Sequence, residues 1–342
     1  MKIARKLQSL APYEPTVEKF DIVLDANESF LSPSGELRSK INCALCDVAL
    51  NRYPDPTASA LCAAAAKYYG VELSQIVAGN GSDELISILL SSLLDSGSKI
   101  AISAPDFSMY AFYAHLAEIE VINAGKNELC PDADAMIKTV CESGADLLIF
   151  SNPCNPSGQG LMRNDVIRII ESCDAIVVVD EAYMEFWDQS VIDCVGKYPN
   201  LIVLKTCSKA FGLAAARCGF ALADKSVIDN IKKAKSPFNV NSFTQAAALA
   251  IFEDLEYIKE SISKIICSRE KLYTMLCDIG ANPIACKTNF VLIKTARAKE
   301  IWERLRKRGI SVRHIMGDYL RITAGSDEEN ARVVAEIKEA LL

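Results

Sequence analysis

The chain lacks the long hydrophobic runs that membrane-spanning proteins carry. No stretch of about 18 or more uninterrupted apolar residues occurs in its 342 residues, so we expect no membrane span. The basic N-terminus, Met1–Leu7, is not followed by an apolar segment, because Pro12, Glu14 and Pro15 come soon after it. Since a secretory signal peptide needs such a segment, we expect a cytoplasmic protein without one.

The chain is also poor in histidine, with only His115 and His314, and neither has metal-ligand spacing. A single Cys-x-x-Cys pair, Cys43 and Cys46, lacks the further ligands that a zinc site needs. The other cysteines among the 13 are scattered, many in apolar segments, where a free cysteine behaves as a small hydrophobe. We therefore expect no metal site and, without a secretory signal, no disulfides.

Clusters of positive charge are absent too. The chain has 37 Lys and Arg against 44 Asp and Glu, a net charge of −7, and no long basic run. It therefore lacks the electrostatic footprint of a nucleic-acid-binding protein. Half of the residues are apolar, which is enough for a packed core and argues against disorder.

What the chain does have is an alternation of strands and helices. Several predicted strands are continuous apolar runs, such as Asp146–Ser151, Ala175–Val179 and Leu201–Lys205. Such runs are typical of strands buried on both faces of a mainly parallel sheet that helices cover. We therefore predict an α/β fold with three parts: an N-terminal arm (1–35) that packs on the small domain and on a partner subunit, a large domain (36–235), and a small α+β domain (236–342) that starts with a long helical stretch at about 243–279.

Polar residues follow the ends of three successive strands. Asn155 follows one strand, Asp180 and Tyr183 follow the next, and Ser208 and Lys209 follow the third. In such folds ligands bind at the carboxyl ends of the strands. Taken singly, each residue has an ordinary structural explanation, such as a helix cap or a turn, but their common position favours one site.

A glycine-rich turn, Gly79–Glu84, joins a short strand to a helix that we predict over Leu85–Leu94. Glycines let the backbone approach a ligand, and the free N–H groups at a helix start bind anions. Ser82 also suits the N-cap position of that helix, and the two roles are compatible.

The stretch around Lys209 combines an amine with groups that suit an anion. Thr206 and Ser208 offer hydroxyls, and Arg217 offers a guanidinium that can hold phosphate with two hydrogen bonds. A lysine on a rigid element suits Schiff-base chemistry, because desolvation and neighbouring cations lower its pKa.

Together these residue types are those that pyridoxal phosphate requires. Lys209 would bind its aldehyde, and Asp180 would keep a proton on its ring nitrogen. Tyr183 and Asn155 would hydrogen-bond its phenolic oxygen, and Phe107 could stack on its ring. The groups expected around the phosphate are Gly81, Ser82, Asp83, Thr206, Ser208 and Arg217.

The pattern resembles that of fold-type-I pyridoxal-phosphate aminotransferases of class I/II. Over nearly the whole chain it is most similar to histidinol-phosphate aminotransferases. The segments that carry the resemblance are Leu10–Tyr13, Asn51–Pro54, Gly79–Glu84, Asn152–Gly158, Val179–Tyr183, Ser208–Phe211, Pro237–Asn241 and Leu320–Thr323.

The resemblance implies transamination between histidinol phosphate and 2-oxoglutarate, with pyridoxal 5'-phosphate as cofactor. It places Arg321 on the acidic group of the substrate and Arg313 beside it as a second anion ligand. Asn27 and Asn155 complete the expected substrate contacts within the chain.

A homodimer is also implied by the resemblance. Tyr53 would reach the cofactor phosphate of the neighbouring subunit, and Tyr13 would reach the neighbour's substrate. One departure from the family concerns the mouth of the substrate site, where Phe30 stands in place of a proline.

Three other functions fit the same residues. An aromatic or broad-range amino acid aminotransferase would use Arg321 to bind an α-carboxylate. A threonine-phosphate decarboxylase shares the fold and the pair of arginines. A non-catalytic regulator with an aminotransferase-like domain is the third alternative, although Lys209 is present and no DNA-binding segment is appended.

Overall fold

The computed structural model describes residues 4–8, 10, 18–127 and 129–341. Tyr13 lies outside these residues. The α-helices are α1 (Gly35–Cys46), α2 (Ser59–Tyr69), α3 (Gly81–Ser92), α4 (Met109–Leu116), α5 (Ala133–Ser143), α6 (Arg163–Ser172), α7 (Lys225–Ala234), α8 (Ser242–Phe252), α9 (Leu255–Asp278), α10 (Ala298–Lys307) and α11 (Asp327–Leu341). The strands are β1 (Ile22–Val23), β2 (Ile76–Asn80), β3 (Lys99–Ile102), β4 (Glu120–Asn123), β5 (Lys126–Asn127), β6 (Cys130–Pro131), β7 (Leu147–Ser151), β8 (Ile176–Asp180), β9 (Leu201–Thr206), β10 (Cys218–Ala223), β11 (Pro283–Ile284), β12 (Phe290–Lys294), β13 (Ile310–Ser311), β14 (Arg313–Ile315) and β15 (Tyr319–Thr323).

A seven-stranded sheet dominates the fold, in the order β2-β10-β9-β8-β7-β3-β4. The five strands from β9 to β4 are parallel, and β10 runs antiparallel to both β9 and β2. Every residue of β7 and β9 is buried, as their continuous apolar runs predict. The α/β fold with a mainly parallel central sheet is thus confirmed.

Helices cover both faces of this sheet. Val177 and Val179 of β8 point into one core, together with α1, α2, α5, α6 and α8. Val178 points into the opposite core, with α3, α4 and α7. This alternation follows from the two-residue period of a strand. Burial of each such side chain contributes about 1.5–3 kcal/mol to folding, so the strand positions are strongly determined.

A second, antiparallel sheet in the order β11-β12-β15-β14 packs with α9, α10 and α11. Residues 22–24 of the arm belong to this unit, because Ile22 and Leu24 lie in its core and β1 pairs with β13. Lys6 instead contacts α4, where its Nζ donates to the Leu116 carbonyl at 2.7 Å. The single helical stretch predicted over 243–279 is wrong: α8 ends at Phe252 and α9 begins at Leu255. The Asp254 side chain accepts a hydrogen bond from the Tyr257 N–H at 2.9 Å, which caps the new helix.

Helix α8 packs against α1 and α2 and contributes Ile251 and Phe252 to the core of the large sheet. Apart from Ile22 and Leu24, the buried residues of the second core all come after α8, and Leu272 of α9 is the first of them. The division into 1–35, 36–235 and 236–342 remains a prediction. Within the described part of the chain, no helix has the length and apolar character that crossing a membrane requires.

Candidate active site

A cavity of about 1020 Å³ opens at the carboxyl ends of β7, β8 and β9, where the small sheet faces the large one. Most of the residues predicted to form a site line it. They are Asn27, Ser82, Asp83, Phe107, Asn155, Asp180, Tyr183, Thr206, Ser208, Lys209, Arg217, Arg313 and Arg321.

Lys209 places its amine in this cavity, and its Nζ donates a hydrogen bond to the Ala26 carbonyl oxygen at 2.8 Å. Burial, followed by the positive charge of Arg321, lowers the pKa of Lys209 to about 8. About a tenth of the amine is therefore neutral at pH 7, and a neutral amine can attack an aldehyde.

Asp180, the last residue of β8, is a buried carboxylate with well-defined partners. Its Oδ2 accepts from the Tyr110 hydroxyl at 2.7 Å, and its Oδ1 accepts from the Ala182 N–H at 3.1 Å. Burial raises the pKa of Asp180 to about 6, and these two hydrogen bonds oppose the rise. At pH 7 and above it is mainly ionised and can hold a proton on a basic ring nitrogen.

Tyr183 is fixed by the arm. Its hydroxyl oxygen accepts from Asn27 Nδ2 at 2.8 Å, so its own proton is free to be donated into the cavity. The Thr323 hydroxyl donates to Asn27 Oδ1 at 3.2 Å, and Asn289 donates to the Asn27 carbonyl at 3.0 Å. Asn27 therefore orients the tyrosine, and it connects the arm to both sheets.

The start of α3 forms an anion-binding cradle with the segments after β9. The prediction that this helix begins at Leu85 with Ser82 as its N-cap is wrong, since α3 begins at Gly81. No side chain caps it, so its first N–H groups can bind an anion. A Cβ atom at position 81 would lie 2.9 Å from Arg217 Nη2, so glycine is what lets the guanidinium approach.

Two further features of the cradle lie in the segment from the end of β9 to the start of β10, which carries Lys209. The Thr206 hydroxyl donates to Ser208 Oγ at 3.1 Å, which places both hydroxyls together. Arg217 has a left-handed backbone with φ 53°, which costs roughly 1–2 kcal/mol for a residue with a side chain. Strain of this kind is concentrated at functional sites.

Arg321 lies at the opposite end of the cavity, on β15, and is only 8% exposed. Its Nη1 donates to Asn155 Oδ1 and its Nη2 donates to the Asp25 carbonyl at 2.6 Å. Its buried Nε has no partner within the described residues. Arg313 is exposed and lies directly opposite Arg321 on β14. Like charges on facing positions repel each other, so this pair is suited to an anion between them.

Sequence reasoning missed Tyr110 and Asp106. Tyr110 is fully buried beside Asp180, and Asp106 accepts from the Ser151 N–H at 3.0 Å and from the Ser151 hydroxyl. Both follow β3, in the segment that contains Phe107. Their position after a buried strand was a signal that they belong to the site. The sequence did not show, however, that β3 lies next to β7.

Among the described residues, two of those predicted for the site do not line the cavity. The first is Gly81, which has no side chain and begins α3 next to Arg217. Tyr53 is 81% exposed and stacks on Phe238, with ring centroids 4.7 Å apart. The contact predicted for Tyr53 involves a neighbouring subunit and stays a prediction.

The residues present fit pyridoxal phosphate. The cradle at Gly81 and Arg217 suits a phosphate, Asp180 suits a ring nitrogen, and the Lys209 amine lies in the same cavity. The sequence model of the family "Aminotransferase class I and II" matches residues 21–337. The chain belongs to the class I and II aminotransferases. It is therefore a pyridoxal-phosphate-dependent enzyme.

Individual aminotransferases resemble the chain over its whole length. The histidinol-phosphate aminotransferase of Clostridium novyi (strain NT) is 42% identical over 98% of this chain and 96% of its own. That of Clostridium kluyveri (strain NBRC 12016) is 41% identical over 98% of both chains. The crystal structure of histidinol-phosphate aminotransferase from Sinorhizobium meliloti in complex with pyridoxal-5'-phosphate has a TM-score of 0.92 at 26% identity, covering 100% of this chain and 98% of that one.

Replacing Tyr110 by Phe is expected to destabilise this aminotransferase by about 1.5–3 kcal/mol, because a buried ionised carboxylate loses its donor. Urea denaturation at pH 8 measures the change. Tyr113→Phe is the matched control, since Tyr113 lies on the same helix and donates to Asp83 at 2.8 Å, but both partners are only half-buried. Equal effects of the two substitutions would contradict the role given to Tyr110.

Proposed function

We propose that the enzyme transfers the amino group of histidinol phosphate to 2-oxoglutarate, which yields imidazole-acetol phosphate and glutamate for histidine biosynthesis. The observation that carries this proposal is the facing pair Arg313 and Arg321 in the cavity that holds Lys209. Two guanidiniums suit the double charge of a phosphate ester and also bind the carboxylates of the second substrate. The names of the two clostridial relatives support the same substrate.

Pyridoxal phosphate, when bound, supplies an electron-withdrawing ring that stabilises negative charge at the substrate α-carbon. In our proposal Lys209 Nζ would take the proton from that carbon as a base and would hold it until it is returned, acting then as an acid. Asp180 keeps a proton on the ring nitrogen. Tyr183 and Asn155 donate to the phenolic oxygen, which orients the ring.

The remaining roles concern binding. Phe107 would pack on the ring face, and the first turn of α3 with Thr206, Ser208 and Arg217 would hold the cofactor phosphate. At the other end Arg321, oriented by Asn155 and the Asp25 carbonyl, would hold the acidic group of each substrate. Asn27 positions Tyr183 at the boundary between the two ends.

The substrate is tested by kcat/KM for histidinol phosphate, phenylalanine and threonine phosphate, each with 2-oxoglutarate as acceptor. We expect histidinol phosphate to exceed phenylalanine by at least about 100-fold, because phenylalanine leaves one guanidinium without an anion. A faster reaction with phenylalanine would assign an amino acid aminotransferase. Release of carbon dioxide from threonine phosphate would assign the decarboxylase.

Cofactor capture is expected to depend on pH through Lys209. Its pKa is lowered to about 8, so the reactive neutral amine increases about tenfold per pH unit below that value and levels off above it. Stopped-flow mixing of the cofactor-free protein with pyridoxal phosphate between pH 6 and 10 measures the rate. N-acetyl-lysine methylamide, with an ordinary lysine pKa of about 10.4, is the control. A midpoint near that of the control would refute the desolvated amine.

We also propose a homodimer. Leu50, Tyr53 and Phe238 are 82%, 81% and 37% exposed, and the last two stack on each other. Exposed apolar groups of this kind indicate an interaction surface. Sedimentation equilibrium should give about twice the chain mass of 37.3 kDa. Tyr53→Asp should shift it towards the monomer, whereas the exposed Met162, replaced by Asp, should not.

We further propose that the enzyme acts in the cytoplasm. All 13 cysteines are free thiols, which suits a reducing compartment. Cell fractionation tests this, and recovery of the enzyme outside the cytoplasmic fraction would contradict it.

A further inference from the structure

A cluster of buried charge lies directly behind the cavity. Lys205 on β9 is 3% exposed, and its Nζ lies 2.9 Å from Glu181 Oε2 and 3.1 Å from Glu185 Oε1. The two glutamate side chains are at most 5% exposed. Such a cluster is costly to bury and often contributes little net stability, so its presence calls for another explanation.

The cluster connects the two segments that carry the reactive groups. Lys205 directly precedes Thr206 on the strand that leads to Lys209. Glu181 directly follows Asp180, and Glu185 comes two residues after Tyr183. The backbone adds one link, since the Glu181 N–H donates to the Leu204 carbonyl at 3.0 Å. The Lys205 ammonium thus joins β9, which leads to Lys209, to the segment that carries Asp180 and Tyr183.

The Lys205 ammonium has a different role for each of the two glutamates. Glu181 is held by the Val191 N–H at 2.8 Å and the Ser190 hydroxyl at 2.6 Å, so it is a rigid anchor. Glu185 Oε2 has no partner within the described residues, so Lys205 provides the charge that balances this carboxylate. Burial raises the pKa of Glu185, and the positive charge of Lys205 opposes the rise.

We propose that Lys205 is a positioning residue, which sets the distance and angle between Lys209 and the Asp180–Tyr183 segment through its two ion pairs. Lys205 does not line the cavity, so it would touch neither substrate nor cofactor. This inference rests on the proposed roles of Lys209, Asp180 and Tyr183 in holding the cofactor. Replacing Lys205 is therefore expected to weaken cofactor binding first.

The test compares Lys205→Met, Lys205→Arg and Leu276→Ala. Leu276 is fully buried in the core of the small sheet, so its truncation lowers stability away from the cluster. Titration of the cofactor-free proteins should show pyridoxal phosphate bound at least about 10-fold more weakly by Lys205→Met, the size seen when a supporting residue is lost. At saturating cofactor, kcat should fall while KM for the amine stays within about twofold. Lys205→Arg should recover most of the affinity, and Leu276→Ala should leave it within about twofold of the wild type.

A charge-free variant covers the case in which Lys205→Met does not fold. It combines Lys205→Met with Glu181→Gln and Glu185→Gln, so that no unpaired charge is buried. It should also bind the cofactor more weakly. Wild-type affinity and kcat in either folded variant would overturn the proposal. If the wild type does not use histidinol phosphate but its cofactor affinity still depends on Lys205, the proposed substrate fails and this inference stands.

Discussion

Lys209→Ala is expected to lower kcat by about 10²–10⁴-fold, even with excess pyridoxal phosphate, because no other group takes over the proton at the substrate α-carbon. Among the described residues that line the cavity, Lys209 is the one lysine. The measurement is glutamate formation from histidinol phosphate and 2-oxoglutarate under saturating conditions.

Lys225→Ala is the matched control for this substitution. Lys225 is an exposed lysine of α7 that is paired with Asp229 and does not line the cavity, so its loss should leave kcat within about twofold. Retention of more than about 1% of the wild-type kcat in Lys209→Ala would contradict the role of the lysine as the proton carrier.

Arg321→Met is expected to lower kcat/KM for histidinol phosphate by about 10³-fold. The substitution removes the charge that binds the substrate anion. It also leaves Asn155 Oδ1 and the Asp25 carbonyl without their buried donor, and each acceptor left unsatisfied in this way costs about 1–3 kcal/mol. Because the same guanidinium would bind both substrates, KM for 2-oxoglutarate should rise as well.

Arg313→Met provides the comparison. Arg313 is exposed and adds one charge at the edge of the site, so we expect a loss of only about tenfold, which shrinks as salt is added. A larger loss for Arg313 than for Arg321 would reverse the order of the two anion ligands. An unchanged KM for 2-oxoglutarate in Arg321→Met would show that the two substrates use different anion sites.

The sequence predicted the residues that line this site better than the residues that hold them in place. Asn155, Asp180 and Lys209 follow continuous apolar strands, and parallel strands bring their carboxyl ends to one edge. Tyr110 could not be assigned to Asp180, because that contact depends on β3 lying next to β7, which the sequence does not state. In the sequence Lys205 is likewise a single polar residue within an apolar strand. Only the structure shows that Glu181 and Glu185 lie beside it.

Helix boundaries were the less predictable part of the fold. The stretch 243–279 has few breakers, yet α8 ends at Phe252 and α9 begins at Leu255, although Ile258 of α9 still lies in the same core as Ile251 of α8. The Asp254 side chain caps α9 and marks the break, which the apolar pattern alone does not predict. At Gly81 the helix begins four residues earlier than predicted, which brings its N–H groups next to Arg217.

The most direct test of the proposed reaction is to trace the nitrogen itself. Histidinol phosphate labelled with ¹⁵N at its amino group is incubated with the enzyme, pyridoxal phosphate and 2-oxoglutarate, and the products are observed by NMR. We predict that the label appears in glutamate, one for each imidazole-acetol phosphate formed, and that Lys209→Ala shows neither product. The absence of labelled glutamate with the wild-type enzyme, while phenylalanine transfers its nitrogen readily, would contradict the proposed reaction.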